Sequence, residues 1–294
     1  MKDLAGKVVF VTGGGSGLGL AMARAFAGEG AKIVLADVDA QALAAAEQDF
    51  VGRNVPVLTI ELDVTDRVAF EAAAAKAAEH FGAIHVLCNN AGVFRGGPLD
   101  NVTYADWDWV MGVNVGGVVN GLQAVLPYIK AAGEGHVVNT ASMAGVAGIG
   151  GMGVYNASKF AVVGMSEALR GDVAEHDIGV SVLCPGMVRT RILESERNRP
   201  SEFEPGSAEA EAAARAQSDA MNLAMATGID AEEVGQIVVD GVRAERFWLF
   251  THPEMKELVA ARNEEQLASF GELTPERAEK LAEVQAALGM DDGA

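Results

Sequence analysis

Short apolar segments alternate with helix-forming segments along most of this chain, and this alternation constrains its fold more than any other feature. The apolar segments are rich in Val, Ile and Leu with few polar interruptions, as in strands that are buried on both faces. Strands are expected at Val8–Val11, Lys32–Ala36, Val57–Ile60, Ile84–Cys88, His136–Thr140, Val180–Cys184 and Phe247–Phe250. Helices are expected at Leu18–Glu29, Ala40–Phe50, Asp66–Phe81, Tyr104–Ala131 (whole or broken), Val154–His176 and Asp230–Ala244, the last with an Asp230–Glu233 capping box.

This order of elements predicts an α/β fold with a Rossmann-type, doubly wound parallel sheet of about seven strands and helices on both faces. No change of composition marks a second domain, so residues 1–252 are expected to form a single domain. Within it, residues 192–228 are rich in Ala, Glu and Pro and are expected to form a helical lid over a binding site. Residues 253–294 are expected to form a helical tail, in which Thr274 caps a helix over Pro275–Leu288.

Charge and cysteine content narrow the classes of partner and compartment. The 294 residues carry a net charge of −19, which argues against nucleic-acid and anionic-membrane partners. No run of about 18 apolar residues predicts a membrane span, and no signal-peptide pattern precedes the first strand. The two cysteines, Cys88 and Cys184, are expected to be buried free thiols, which fits a cytoplasmic protein. The histidines lack metal-ligand spacing, so we predict no metal site.

A glycine-rich turn, Thr12–Gly19, joins the first strand to the first helix. Backbone amides and a helix N-terminus at such a junction can hold a pyrophosphate. The spacing is Gly-x-x-x-Gly-x-Gly, which differs from Gly-x-Gly-x-x-Gly and from the phosphate loop that ends in Gly-Lys-Ser/Thr. The residues expected to contact a dinucleotide here are Gly13, Gly15, Ser16, Gly17, Leu18 and Gly19.

An acidic residue, Asp37, ends the second strand, 18 residues beyond Gly19. A carboxylate in this place can accept hydrogen bonds from an adenosine ribose and would repel a 2′-phosphate. Neither Ser16 in the turn nor Val38 after the acid supplies a cation for such a phosphate. The sequence therefore favours NAD over NADP, with Asp37 and Val38 at the ribose; the alternative is a solvated carboxylate in an ordinary turn.

Two further loops follow predicted strands at the same edge of the sheet. Asp63 and Val64 come after the third strand, and Asn90, Ala91 and Gly92 come after the fourth. Loops at the carboxyl ends of parallel strands line the ligand crevice of a doubly wound sheet. These five residues are therefore expected to contact the adenosine part of the dinucleotide, although each loop alone is equally consistent with a simple turn.

A tyrosine and a lysine, Tyr155 and Lys159, are one helical turn apart and so face the same way. A phenol has a pKa of about 10 and is a poor acid or base near neutral pH when it is alone. A neighbouring ammonium group favours the phenolate and lowers that pKa, which makes the pair a candidate proton-transfer device. The alternative is a core tyrosine beside a lysine whose amine reaches solvent.

Two more polar residues complete this candidate site: Asn114 in the long helical region and Ser142 just beyond the fifth strand. With these residues the chain resembles the short-chain dehydrogenase/reductase family over roughly residues 5–190. The motifs that carry the resemblance are Thr12–Gly19, Asp63, Asn89–Gly92, Asn114, Ser142, Tyr155, Lys159 and Pro185–Thr190.

The resemblance implies a role for each matched residue. Tyr155 would transfer the proton, Lys159 would lower the Tyr155 pKa and bind the nicotinamide ribose, and Ser142 would hydrogen-bond the reacting oxygen. Asn114 would hold a water molecule that connects Lys159 to solvent. The segment after the sixth strand would contact the nicotinamide end of NAD through Pro185, Gly186, Val188 and Thr190.

A narrower resemblance concerns bacterial members of the family that oxidise benzylic alcohols of aryl ethers. It rests on the segments Tyr104–Trp109 and Glu194–Pro200, and on the long lid and extended C-terminus. Five methionines are candidates to line a broad apolar pocket and are equally consistent with core positions: Met143, Met152, Met187, Met221 and Met225.

Taken together, these features predict an NAD-dependent enzyme that interconverts a secondary alcohol and a ketone, with a hydrophobic aryl or alicyclic substrate. Two other classes use related folds: sugar-nucleotide epimerases or dehydratases, and dinucleotide sensors without catalysis. The family resemblance also implies a homotetramer or homodimer. The identity of the substrate, the stereochemistry and the physiological direction do not follow from the sequence.

Overall fold

The computed structural model describes residues 1–203, 212, 215, 219, 221–223 and 225–288. Within the chain there are two compact units, Met1–Pro253 and Glu254–Ala294. The first contains the whole sheet, and the second contains helices of the tail. The expected functional division into a catalytic domain (1–252) and an extension (253–294) stays a prediction.

The first unit contains a seven-stranded, all-parallel sheet, which confirms the predicted fold class. The strands are β1 (Val8–Thr12), β2 (Lys32–Asp37), β3 (Val57–Glu61), β4 (Val86–Asn89), β5 (Gly135–Thr140), β6 (Ile178–Cys184) and β7 (Trp248–Phe250). Their order across the sheet is β3-β2-β1-β4-β5-β6-β7. The direction of winding therefore reverses between β1 and β4, where a doubly wound sheet opens a crevice at the carboxyl ends of its strands.

The helices cover both faces of this sheet. Among the described residues of the first unit they are α1 (Gly17–Gly28), α2 (Ala40–Gly52), α3 (Arg67–Phe81), α4 (Tyr104–Met111), α5 (Gly117–Ala132), α6 (Gly153–Asp172) and α7 (Ala231–Arg243). Side chains of α1, α2 and α7 share one core cluster with β1 residues Val9 and Val11. Phe10, between these two, stacks instead on Phe70 of α3 with ring centres 6.0 Å apart. This alternation along β1 shows that the sheet is buried on both sides.

The long apolar helical region is broken, as one of the two sequence expectations allowed. A π-helical turn, Gly112–Gly116, separates α4 from α5 and contains the buried Asn114. Among the described residues, the stretch Tyr104–Ala132 alone is long and apolar enough to cross a membrane. Its residues Val118, Val125 and Ile129 are buried within the protein, as in a core helix.

Two sequence expectations need correction. Asp230 is the N-cap residue of α7, but its side chain makes no capping hydrogen bond among the described residues and pairs instead with Arg189. The guanidinium group therefore replaces the predicted capping box. The expected helix Val154–His176 is also interrupted, because α6 ends at Asp172 and a separate 3₁₀ turn covers Ala174–His176.

The predicted lid begins with a 3₁₀ segment, Ile192–Asn198, kinked at Glu194. Most of the remaining predicted lid, from 204 to 224, lies outside the described residues. In the tail, α8 covers Lys256–Ala268 and α9 covers Pro275–Leu288, with the Thr274 hydroxyl accepting a bond from the Arg277 amide at 3.4 Å. The predicted tail helix and its start at Pro275 are therefore confirmed.

Candidate active site

The crevice between β1 and β4 is closed at its base by hydrogen bonds that join the loops after these strands. The Thr12 hydroxyl accepts bonds from the amides of Asn90 and Ala91, at 2.9 and 3.0 Å. The Asn90 amide group donates in return to the Thr12 carbonyl at 3.0 Å. Asn90 and Ala91 therefore lie beside the glycine-rich turn, as their positions after β4 predicted.

The glycine-rich turn requires glycine at particular points. Gly13 and Gly17 have positive φ values of 63° and 53°, a conformation that L side chains rarely adopt. A Cβ atom on Gly19 would lie 2.0 Å from the Gly13 carbonyl oxygen and 2.7 Å from the Asn90 amide nitrogen. The turn is therefore so tight that the start of α1 lies directly on the backbone just after β1.

The start of α1 and the end of β2 meet in an arrangement suited to a dinucleotide. Ser16 is the N-cap residue of α1, and its side chain makes no capping bond among the described residues. The Asp37 carboxylate accepts bonds from the amides of Gly15 at 2.9 Å and Asp39 at 3.0 Å, which holds it beside the turn. Val38 follows it and is half exposed. Uncapped amides next to a fixed carboxylate fit a pyrophosphate and an unphosphorylated ribose.

The loop after β3 is built differently. One Asp63 oxygen accepts bonds from both the amide and the hydroxyl of Thr65, at 2.9 and 2.8 Å, and the residue is exposed. Val64 is buried, and its side chain packs where a Cβ atom on Gly117 would stand. Asp63 thus already stabilises a local turn, and its contact with an adenine, like that of Val64, stays a prediction.

The catalytic candidates Tyr155, Lys159 and Ser142 lie together at the start of α6 and the end of β5. The Lys159 amine is 5.6 Å from the centre of the Tyr155 ring and donates to the Thr140 carbonyl at 2.9 Å. The Ser142 hydroxyl accepts a bond from the Ala144 amide at 3.1 Å and lies next to the Tyr155 hydroxyl. Phe94 packs edge-on against the tyrosine ring, with centroids 5.1 Å apart. The helical spacing therefore brings the pair together as predicted, and the serine joins it.

Burial shifts the two pKa values of this pair in opposite directions. Burial raises the pKa of Tyr155 to about 12, and the hydrogen bond with Ser142 opposes the shift. Burial lowers the pKa of Lys159 to about 8, while the neighbouring Cys184 sulfur opposes that shift. The Tyr155 pKa is thus raised where the sequence predicted a lowered one, because the cost of removing the phenolate from water outweighs the Ser142 hydrogen bond. A lowering of this pKa by Lys159 stays a prediction.

Asn114 reaches the same site from the π-helical turn. Its side-chain oxygen accepts a bond from the Val93 amide at 2.8 Å, and its nitrogen donates to the Val93 carbonyl and the Ser158 hydroxyl, both at 3.0 Å. The Gly92 backbone passes so close that a Cβ there would lie 3.3 Å from Asn114 and 3.5 Å from the Lys159 amine. The side chain of Asn114 thus fixes the loop after β4; a water held by this residue stays a prediction.

The segment after β6 closes the opposite side of the crevice. The Gly186 amide donates to the Thr251 hydroxyl and to His252 Nδ1, both at 3.2 Å, and a Cβ on Gly186 would collide with the histidine ring. Val188 is buried and forms a parallel bridge with Ile229. Thr190 lies beside the turn, 3.5 Å from where a Gly17 Cβ would be. The segment that starts at Pro185 therefore borders the predicted dinucleotide position.

An apolar cluster around Tyr155 contains residues that the sequence patterns did not single out. It consists of Phe94, Ala144, Met152, Leu193 and Met225, with Tyr155, Ile192 and Met221 packed against it. Two of the five candidate methionines, Met152 and Met225, are thus members of the cluster, and Met221 packs against it. Met143 is buried elsewhere, and Met187 is partly exposed. Phe94 lies in the loop after β4 and Leu193 in the 3₁₀ segment Ile192–Asn198, and no spacing in the sequence marked either residue.

The short chain dehydrogenase family profile matches residues 7–201, two thirds of the chain. The chain belongs to this family. A C alpha-dehydrogenase of Sphingobium sp. is 34% identical over 296 residues, covering 99% of this chain and 96% of the relative. A levodione reductase of Leifsonia aquatica is 36% identical over 192 residues, covering 64% and 72% of the two chains.

Solved structures of the family agree with the fold. A short chain dehydrogenase/reductase from Burkholderia phymatum, solved in complex with NAD, superposes with a TM-score of 0.89 at 37% identity. The match covers 94% of this chain and 99% of the other. Both the family resemblance and the narrower resemblance to Cα-dehydrogenases are thereby confirmed as similarities of sequence.

Proposed function

We propose that this protein is an NAD-dependent oxidoreductase that interconverts a secondary alcohol and a ketone. The observation that carries the proposal is Tyr155 beside two other polar candidates: the Lys159 amine lies 5.6 Å from the centre of its ring, and Ser142 lies next to its hydroxyl. This cluster lies at the same edge of the sheet as the uncapped amides of the glycine-rich turn. A proton-transfer group next to a dinucleotide cradle is what hydride transfer at a carbon–oxygen bond requires.

NAD is the cofactor that fits the residues at the end of β2. The Asp37 carboxylate, held by the Gly15 and Asp39 amides, would accept hydrogen bonds from ribose hydroxyls and repel a 2′-phosphate. The Burkholderia relative, solved with NAD, supports the same choice. When bound, NAD supplies the hydride acceptor and a positively charged ring, which favours ionised Tyr155.

The side chains divide the remaining work. In the oxidative direction Tyr155 accepts the alcohol proton, and in the reductive direction it returns that proton to the carbonyl oxygen. Ser142, whose hydroxyl is fixed by the Ala144 amide at 3.1 Å, donates to the same oxygen and stabilises negative charge on it. Lys159 uses one ammonium proton on the Thr140 carbonyl, which leaves two for the ribose hydroxyls and the tyrosine.

The cluster around Tyr155 supports a hydrophobic class of substrate. Phe94, Leu193 and Met225 are buried and apolar, and Met152 and Ile192 extend the same surface. Such walls favour an aryl or alicyclic group on the carbon that bears the hydroxyl. The named relatives, a C alpha-dehydrogenase and a levodione reductase, support a hydrophobic alcohol or ketone.

The test is a screen of secondary alcohols of graded size with NAD, followed by Tyr155→Phe. Because a tyrosine with a pKa of about 12 must lose its proton to act as a base, oxidation should be assayed at alkaline pH. We expect kcat to fall by about 10³-fold in the variant, the usual scale for a lost acid–base group. NADH affinity, measured by fluorescence titration, should change less than about twofold, since the ring remains. Undiminished turnover in Tyr155→Phe would overturn the assignment.

A further inference from the structure

A buried ionic network ties the start of the lid to α4. We call residues 192–203 the lid base. Asp106 of α4 is fully buried, and its Oδ1 atom pairs with Arg95 Nε at 3.1 Å and with Arg199 Nη1 of the lid base at 2.8 Å. The two arginine side chains are 4% and 6% exposed. Glu196 of the lid base lies 3.3 Å from both guanidinium groups. Each of the two arginines therefore pairs with both carboxylates, those of Asp106 and Glu196.

The two carboxylate oxygens of Asp106 have separate tasks. Oδ2 accepts bonds from the amide and the hydroxyl of Thr103, at 2.8 and 2.9 Å, and completes the capping box of α4. Oδ1 is left to bind Arg95 and Arg199. An aspartate that only capped the helix would need neither arginine. The second oxygen therefore serves a contact between α4, the loop after β4 and the lid base.

Arg199 makes further contacts that a surface arginine lacks. Its guanidinium carbon lies 5.1 Å from the centre of the Trp109 ring, a cation–π distance. Its Nε atom donates to the Phe203 carbonyl at 2.9 Å, and the Phe203 side chain packs in the same cluster as Trp109. The planar guanidinium group thus bridges carboxylates, an aromatic face and the lid backbone, a combination that lysine cannot reproduce.

A second contact lies between this network and the apolar cluster. The Phe94 amide donates to the Ser195 hydroxyl at 3.0 Å. Phe94 and Arg95 are consecutive, so the loop after β4 is joined to the lid base once through its backbone and once through the arginine. Phe94 and Leu193 are neighbours of Tyr155 in the apolar cluster. Any movement of the lid base away from α4 therefore opens the wall of the pocket at the tyrosine.

We propose that Arg199, Asp106 and Arg95 are positioning residues, which hold the lid base against the Phe94 loop before substrate arrives and so set the preference for bulky apolar alcohols. The inference about substrate preference rests on the proposed function; the inference about lid closure does not. Burying an ion pair costs desolvation free energy, which is recovered only when the two charged groups meet in a good geometry. A buried ion pair therefore suits a contact that fixes the position of a loop.

The charges persist across the working range of pH. Burial favours the neutral acid, but the Thr103 bonds and the charges of Arg95 and Arg199 outweigh it and hold the pKa of Asp106 below its usual range. The contact should therefore remain ionic in an alkaline assay.

The experiment compares Arg199→Met with Arg197→Met in the full-length protein. Arg197 is exposed, and among the described residues its guanidinium group bonds only two nearby carbonyls, those of Arg191 and Glu194. Removing Arg199 leaves Asp106 its bonds to Arg95 and Thr103, so α4 keeps its cap. Neither substitution alters a glutamate, so cleavage by a glutamate-specific protease after Glu194 or Glu196 reports lid opening in both variants.

We expect Arg199→Met to raise the rate of this cleavage by about tenfold, and mass spectrometry identifies the cleaved bonds. This is the increase in local opening expected when one buried hydrogen bond between charged groups is lost. In the same variant, KM for a bulky aryl alcohol should rise about tenfold with a smaller change in kcat, and KM for NAD should stay within about twofold. A small aliphatic alcohol, which reaches only Ser142 and Tyr155, should be affected least. Arg199→Lys should restore part of the loss, and Arg197→Met should match the wild type.

The outcomes separate the two proposals. If Arg199→Met is cleaved faster but the wild type turns over no alcohol, the positioning of the lid base by Arg199 is supported. The proposed function and the substrate preference are then overturned. Unchanged cleavage and unchanged KM in Arg199→Met would overturn the positioning role. If Arg199→Met fails to fold, Ser195→Ala breaks the second contact and should show the same cleavage and KM pattern in a weaker form; wild-type behaviour of that variant would count against the proposal.

Discussion

The two ends of the crevice are built from different materials. At the end where we predict the dinucleotide, the crevice is lined by backbone amides and small residues, positioned by a tight turn between β1 and α1. At the substrate end they are large side chains from separate loops, held by the Asp106 network and by the Ser195 hydroxyl. A rigid backbone site suits one cofactor for a whole family, whereas side chains on a lid allow the substrate to change without changing the fold.

The largest effect should come from the backbone end. Gly19→Ala places a Cβ atom 2.0 Å from the Gly13 carbonyl oxygen, so the turn or the helix must move. We expect NAD affinity, measured by calorimetry, to fall by at least about 100-fold, because both the amides and the helix start are displaced.

The matched control is Gly28→Ala in the same helix, where nothing lies within 4 Å of the added carbon. It should bind NAD normally and gain about 0.5–1 kcal/mol of stability from the better helix former. Equal NAD affinity in Gly19→Ala and Gly28→Ala would contradict the proposed difference between the two ends of the crevice. The tight turn would then not be needed to bind NAD.

The next effect concerns a side chain at the backbone end. Asp37→Asn removes the negative charge but keeps an acceptor for the Gly15 amide. We expect NAD affinity to fall about tenfold and NADP affinity to rise, because repulsion of the 2′-phosphate disappears while the ribose bonds weaken. The ratio of kcat/KM for the two cofactors measures this change, and an unaltered ratio would contradict an adenosine ribose at Asp37.

The smallest effect should be at the substrate end, because several side chains share the wall. Phe94→Ala removes the edge-on contact with Tyr155 while keeping the backbone bond to Ser195. We expect KM for an aryl alcohol to rise about fivefold, as for one apolar wall among several, with NAD affinity unchanged. Tyr104→Ala, at an aromatic residue that is 89% exposed, is the control. Loss of NAD binding in Phe94→Ala would contradict the assignment of Phe94 to the substrate end alone.

The features that were predicted from sequence depend on short separations along the chain. The strand–turn–helix unit, the acid at the end of β2 and the Tyr155–Lys159 pair each involve residues within about one element of one another. Backbone geometry alone then brings them together. The doubly wound sheet followed from right-handed connections between successive parallel strands, which leave few other arrangements.

The features that were missed depend on pairs of residues far apart in the chain. Phe94 contacts Ser195, and Arg95 and Arg199 meet at Asp106, across about a hundred residues. The capping box predicted at Asp230 failed for the same reason, because Arg189 of another segment captures the carboxylate. No periodicity or local motif records such encounters.

The amino-acid sequence was sufficient for the fold class, the position of the dinucleotide turn and the four polar candidates, because these depend on hydrophobic period and on spacing along helices and strands. The pKa values of Tyr155 and Lys159 depended on the folded structure, since burial rather than adjacency sets them. The wall of the pocket also depended on the folded structure, because it forms where the lid base packs against α4 and the loop after β4.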